Sequence, residues 1–196
     1  MIVARWRDAS GRGLEHCVVR EEADGIVADA VVIGGDESFG VRYRVTCDTA
    51  WRVRALTVQL VGGASAVNLV GDGAGAWWSD RSASMFDARP GSAASARVGT
   101  ARPDLAGAID VDIAATPFTN TLPIRRLGLR EGEAAEIVVA YVAVPELTVA
   151  PAPQRYTRLS ERRYRFESRD GGFTREIDVD EHGLVVHYPG LFERTA

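Results

Sequence analysis

Two pairs of carboxylates stand two residues apart, Asp110 with Asp112 and Asp178 with Asp180. In a strand, that spacing puts both acids of a pair on one face. Two carboxyls so placed can divide acid and base work if their surroundings push their pKa values apart. Solvation, or ion pairing to arginine, is the structural alternative. The histidines, His16, His182 and His187, have neither the i, i+4 spacing of a zinc helix nor a cysteine or carboxylate at ligand spacing, so no metal is expected. Gly71-Asp72-Gly73-Ala74-Gly75-Ala76 fits a loose dinucleotide pattern. Trp77-Trp78-Ser79-Asp80 cannot open the helix which that pattern requires, and the run reads as a turn. A G-x-S-x-G elbow is absent, which disfavours a hydrolase of that design. No cofactor is implied.

A second group of residues suits binding better than bond breaking. Thr116, Thr119, Asn120 and Thr121 cluster around Pro117 and Pro123, directly before Arg125 and Arg126. The prolines oppose regular helix or central-strand pairing, so the stretch is expected to be extended and constrained. Its hydroxyls, amide and guanidinia suit a polyol or an anionic head group. The alternative is a turn whose polar side chains satisfy its own backbone. Trp6, Trp51, Trp77 and Trp78 either anchor a core or line an apolar pocket. Adjacent residues of a strand face opposite sides, so one of Trp77 and Trp78 is expected to face outward or into a cavity.

The elements that must hold these residues are strands. Val41, Tyr43, Val45 and Cys47 alternate with Arg42, Arg44 and Thr46; Phe173, Arg175, Ile177 and Val179 alternate with Thr174, Glu176 and Asp178. Leu184, Val186 and Tyr188 alternate with Val185 and His187, while residues 31–33 and 137–144 read as strands buried on both faces. Gly-rich turns at Asp24-Gly25, Gly34-Gly35, Gly62-Gly63, Asp170-Gly171-Gly172 and His182-Gly183 punctuate the runs. Trp51 and Val53 are out of phase with Leu56, Val58 and Leu60, which predicts a β-bulge near Ala55 and a bent strand. Residues 82–102 break the pattern and read as a flexible loop insertion or a ligand-ordered lid. Pro145, Pro151 and Pro153 mark loops or edge positions. The expectation is an all-β antiparallel roll, meander or barrel.

Length and composition fit one such domain. The chain has 196 residues, 46% of them hydrophobic, enough for a sizeable core. Its formal net charge of -4 argues against a nucleic-acid surface, and all 23 basic residues are arginine. No run approaches a membrane span, and the first residues hold no apolar leader segment. Cys17 and Cys47 therefore read as reduced core thiols, and the expected location is cytoplasmic.

Residues 110–112, the run 116–127, Cys47-Asp48 with Trp51-Arg52, Ala140-Tyr141-Val142, Gln154-Arg155-Tyr156-Thr157-Arg158-Leu159 and Tyr188-Pro189-Gly190-Leu191-Phe192 resemble the bacterial family labelled "putative glycolipid-binding". The resemblance spans nearly the whole chain apart from residues 82–102. It implies one many-stranded antiparallel sheet curled into a spiral roll or half-open barrel, similar to lipoprotein carriers that hold acyl chains in a cavity. It implies no catalytic residues. On this reading a lipid or glycolipid lies in the concavity. Its head group meets Asp112, Thr116, Thr119, Asn120, Thr121, Arg125, Arg126, Arg155, Tyr156 or Arg158, with Trp51 and Trp77 as apolar contacts. An enzyme using Asp110 or Asp112 with an arginine, and a ligand-free interaction module with a filled core, are the other readings.

Overall fold

The computed structural model describes residues 1–35, 38–80 and 99–195. Most of the 82–102 insertion thus falls outside the described residues. Its end does not behave as a loop, because Thr100 and Ala101 form a short strand opposite Ser79 and Trp78.

Among the described residues, fifteen strands form one sheet. The first half comprises β1 (Ile2–Asp8), β2 (Leu14–Glu22), β3 (Gly25–Ile33), β4 (Gly40–Cys47), β5 (Val53–Leu60), β6 (Ala66–Gly71), β7 (Trp77–Ser79) and β8 (Thr100–Ala101). The second comprises β9 (Asp110–Ile113), β10 (Ala134–Val142), β11 (Val149–Ser160), β12 (Arg163–Ser168), β13 (Thr174–Val179), β14 (Val185–Tyr188) and β15 (Phe192–Thr195). The order across the sheet runs β8 to β1, then β15 back to β9, so β1 and β15 meet in the middle. The sheet is mostly antiparallel and does not close, as expected for a half-open roll. The pairing of β9 with β10 departs from that expectation, because it is parallel. Parallel neighbours need a crossover. Here the crossover is residues 114–133, which contain a 3-10 turn (Phe118–Asn120) and the α-helix α1 (Thr121–Leu127).

That crossover corrects the expectation of an extended 116–126 segment. Pro123 is the third residue of α1, within the first turn, where its missing N–H has no intrahelical partner to lose. Gly128, at φ +55°, ends the helix in the left-handed conformation. The segment acts as a wedge inside the curled sheet. Phe118 and Leu122 join a core with Trp6, Tyr43, Leu56 and Leu69 from the first half. Ile124 joins a second core with Tyr156, Phe166, Ile177 and Tyr188. Phe118 stacks on Tyr43 with ring centroids 6.1 Å apart.

The strand faces mostly follow the sequence. Val41, Tyr43, Val45 and Cys47 are all buried. The predicted bulge is present: Thr46 pairs with Ala55 and Cys47 with Val53, which leaves Arg54 as the extra residue. Pro151 and Pro153 lie in β11 before its pairing with β12 begins at Gln154, so that stretch is a local edge. Trp77 is buried and Trp78 half-buried, as adjacent strand residues require. Cys17 and Cys47 are buried free thiols.

Two expectations about strand faces fail. Val31 and Ile33 are 47% and 53% exposed, because the inner face of β3 belongs to Ala28, Ala30 and Val32. The alternation of residues 184–188 is broken, because Val179 pairs with Val185 and Asp178 with His187, so Val186 bulges outward while Val185 and Tyr188 turn in. Among the described residues, no helix is long and apolar enough to cross a membrane.

If the wedge holds the two halves together, Leu122→Ala, at a fully buried site, should lower stability by about 2–5 kcal/mol in urea unfolding. A loss below about 1 kcal/mol would mean that the wedge packs loosely.

Candidate functional site

The wedge leaves β9 through Ala115, whose φ of +67° is unusual for a residue with a side chain. Two open pockets, each of about 380 Å³, lie on either side of this turn and share Ala115, Leu191 and Phe192. One reaches Glu15; the other reaches Asp112.

The Asp112 pocket is an aromatic cleft. Tyr141, Phe166, Phe173, Tyr188 and Phe192 wall it, and Asp112, Thr116, Asn120 and Gln154 give it a polar side. Asp112 accepts hydrogen bonds from Thr119 Oγ1 at 2.9 Å and Gln154 Nε2 at 2.7 Å. Burial pushes its carboxyl pKa up, against the pull of those two donors. Tyr156 donates its hydroxyl to Asn120 Oδ1 at 3.0 Å, and Asn120 Nδ2 donates to the Pro117 carbonyl at 3.2 Å. The polar residues of the wedge therefore form a network whose members support one another.

Asp110, the neighbour of Asp112 on β9, has different surroundings. It is fully buried and held in a fork by Arg126, with Nε to Oδ1 at 2.9 Å and Nη2 to Oδ2 at 2.6 Å. The pair is a structural clamp between β9 and α1, and the two aspartates do not share one site. Asp178 and Asp180 are likewise engaged, with Arg163 and Arg194 at 2.7 Å each.

The other residues singled out from the sequence are dispersed. Thr116 lies between the two pockets, and Thr121 is fully buried in the wedge with an unpartnered hydroxyl. Arg125 lies 4.6 Å above the Trp51 ring, donates to the His182 carbonyl at 3.1 Å and pairs with Glu21 at 3.3 Å. Arg125, Arg126 and Trp51 line a separate depression of about 370 Å³. Arg155 pairs with Glu167 at 3.7 Å, and Arg158 staples a turn through the carbonyls of Leu129, Ser160 and Glu161. Trp77 donates its indole N–H to the Ala108 carbonyl at 2.7 Å. Gly71 to Ala76 is a turn capped by Asp72, whose Oδ1 accepts from the N–H groups of Ala74 and Ala76. Of the histidines, His16 is exposed and accepts from Arg5 at 3.1 Å. Among the described residues, no three His, Cys, Asp or Glu side chains are grouped to hold a metal ion.

Glu15 escaped the sequence reading. It is 3% exposed, on the inner face of β2. Its Oε1 accepts from the hydroxyls of Tyr43 and, at 2.8 Å, Thr116. Its Oε2 is buried with no hydrogen-bond partner in the protein. The available signal was phase: Glu15 shares parity with Cys17 and Val19, so an acid occupies an apolar stripe.

Burial pushes the Glu15 carboxyl up to about 7, against the hydrogen bonds from Tyr43 and Thr116. An acid whose folded pKa exceeds its ordinary value of 4.5 binds protons more tightly when folded, so folding stability falls as pH rises from 4.5 to about 7. Glu15→Gln should remove that slope and leave the variant more stable than the parent by about 3 kcal/mol above pH 7. Urea unfolding of both proteins between about pH 5 and 8 checks this; parallel curves would refute it.

The fold recurs in a solved structure. The crystal structure of a DUF1089 family protein from Pseudomonas aeruginosa, at 1.80 Å resolution, is 34% identical; the match covers 93% of this chain and 92% of that one, with a TM-score of 0.73. No protein of curated function matches. The model of the family described as "Putative glycolipid-binding" matches residues 3–194, and the chain therefore belongs to that family.

Proposed function

We propose that the protein binds a lipid or glycolipid, with the apolar part of the ligand in the aromatic cleft and its polar end at Asp112, Thr116 and Asn120. The observation that carries this reading is the cleft itself, an open pocket with five aromatic walls and a buried polar network on one side. Its volume of about 380 Å³ is at the low end of the range of roughly 300–1,000 Å³ typical of ligand sites. It suits one short chain or part of a longer one. Each methylene buried there contributes about 0.8 kcal/mol before ordering costs. The family description supports the same ligand class.

The arginines serve this reading less directly than the wedge does. Arg126 is bound to Asp110, and Arg125 is shared among Trp51, Glu21 and the His182 carbonyl. Gln154 and Tyr141, which line the cleft, join the head-group side instead. A reducing, cytoplasmic location fits the two free buried thiols.

Native mass spectrometry of the purified protein should reveal co-purifying lipid, and a fluorescent fatty-acid probe should bind saturably. Phe173→Asp, on the cleft wall, should weaken probe binding by about tenfold. Absence of both lipid and probe binding would sink the proposal.

A further inference from the structure

The lipid reading leaves the Glu15 pocket without a role. This pocket opens beside the Gly34-Gly35 turn and is walled by Trp6, Val32, Phe39 and Val144. The carboxyl at its base is half-satisfied. Tyr43 and Thr116 both donate to Oε1, while Oε2 is buried and unpartnered. An unmatched buried acceptor costs about 1–3 kcal/mol, more when charged, and strand packing at this position requires only an apolar side chain. The acid is therefore an expense to the fold that a ligand could offset.

The charge around the pocket selects the ligand. Among the described residues, its ionisable members are Glu15 and Asp8, with no arginine or histidine. Asp8 is committed to its own turn, where its Oδ1 accepts from Ser10 Oγ at 2.7 Å and from the Gly13 N–H at 3.0 Å. A Cβ at Gly35 would stand 2.0 Å from Asp8 Oδ2, so the turn is fitted around that carboxylate. Arg194 is directed to Asp180 at 2.7 Å and over the Trp6 ring at 5.1 Å. An anion in this pocket would meet two acids and no base. A cation that reached Glu15 would meet a countercharge whose second oxygen has no partner in the protein, in low-dielectric surroundings where the pairing is strong.

We propose that this pocket binds a primary amine on a small apolar body, with the ammonium on Glu15 Oε2 and the carbon skeleton against Val32, Phe39 and Val144. A free alkylamine and an amino head group of an amphiphile share this chemistry. The inference stands apart from the lipid reading, since the two pockets are lined by different polar groups. The groups facing Glu15 are Tyr43 from β4, Thr116 from the wedge, Cys17 along its own strand and Asp8 at the mouth. Burial pushes the Tyr43 hydroxyl and the Cys17 thiol well up, so Glu15 is the member of this group that changes charge near neutrality.

Isothermal titration of the full chain with hexylamine, 1-hexanol and hexanoate tests the proposal. At about pH 8, hexylammonium should bind about tenfold or more tightly than 1-hexanol, the usual worth of a charge-assisted hydrogen bond, and hexanoate more weakly than either. With the Glu15 carboxyl titrating at about 7, lowering the pH from about 8 to 6 should cost the amine roughly tenfold in affinity and leave 1-hexanol unchanged. Glu15→Gln should abolish the preference for the amine while fatty-acid probe binding in the aromatic cleft persists. Dihexanoylphosphatidylethanolamine separates the sources: tighter binding than hexylamine marks an amino lipid, and binding of hexylamine alone marks a free amine. An amine that binds no better than 1-hexanol, a preference for hexanoate, a pH-independent amine affinity, or a preference that survives Glu15→Gln would overturn the inference. The pH profile of the unsubstituted protein decides the matter independently of the variant.

Discussion

An open sheet curled on itself has one inner face and no second layer to cover it. This constraint shapes the whole molecule. The crossover from β9 to β10 supplies the cover from within, with Phe118 and Leu122 in one core and Ile124 in the other. The fork between Arg126 and Asp110 fixes the crossover to the strand from which it departs. A buried ion pair of this kind is seldom a large net stabiliser, but breaking it strands a charge, so it specifies register more than it adds energy. The polar residues of the wedge follow from the same constraint. Polar side chains inside a protein must find hydrogen-bond partners, and those of Thr116, Thr119 and Asn120 find them in Glu15, Asp112 and Tyr156.

The two pockets are what this packing leaves at one end. The wedge fills the centre of the concavity, and the turn at Ala115 divides the remainder. Each side retains one buried carboxyl held by neutral donors, and burial raises both pKa values. The difference lies in what remains open. Asp112 spends both oxygens on Thr119 and Gln154, whereas Glu15 spends one.

Much of this was legible in the sequence, because an all-β chain writes its burial as a period of two. The face of β4 and the bulge beside Ala55 follow directly from parity. Failures occur where tertiary context overrides local pattern. Val31 and Ile33 are apolar on an outward face, and nothing local distinguishes them from a doubly buried run. Pro117 and Pro123 suggested extended chain, yet a proline in the first helical turn loses no hydrogen bond. The partners of the 116–126 residues were the least readable part. Asp110 and Arg126 meet across 16 positions of sequence, and Thr116 and Glu15 across 101. Composition identifies such a polar segment, but only the packed fold decides which members face a cavity.

The seam between β1 and β15 also dictates how this chain must assemble. β1 to β7 form a meander of sequence neighbours, and so do β10 to β15; such ladders can zip hairpin by hairpin. Joining them pairs Arg5 with Thr195, a loop closure that spans nearly the whole chain. Closure entropy grows only slowly with loop length, but it must be met before any contact across the seam rewards it. The seam is thus the pairing with the largest closure cost, and while it is unformed the unpaired edges of β1 and β15 lie open to other chains.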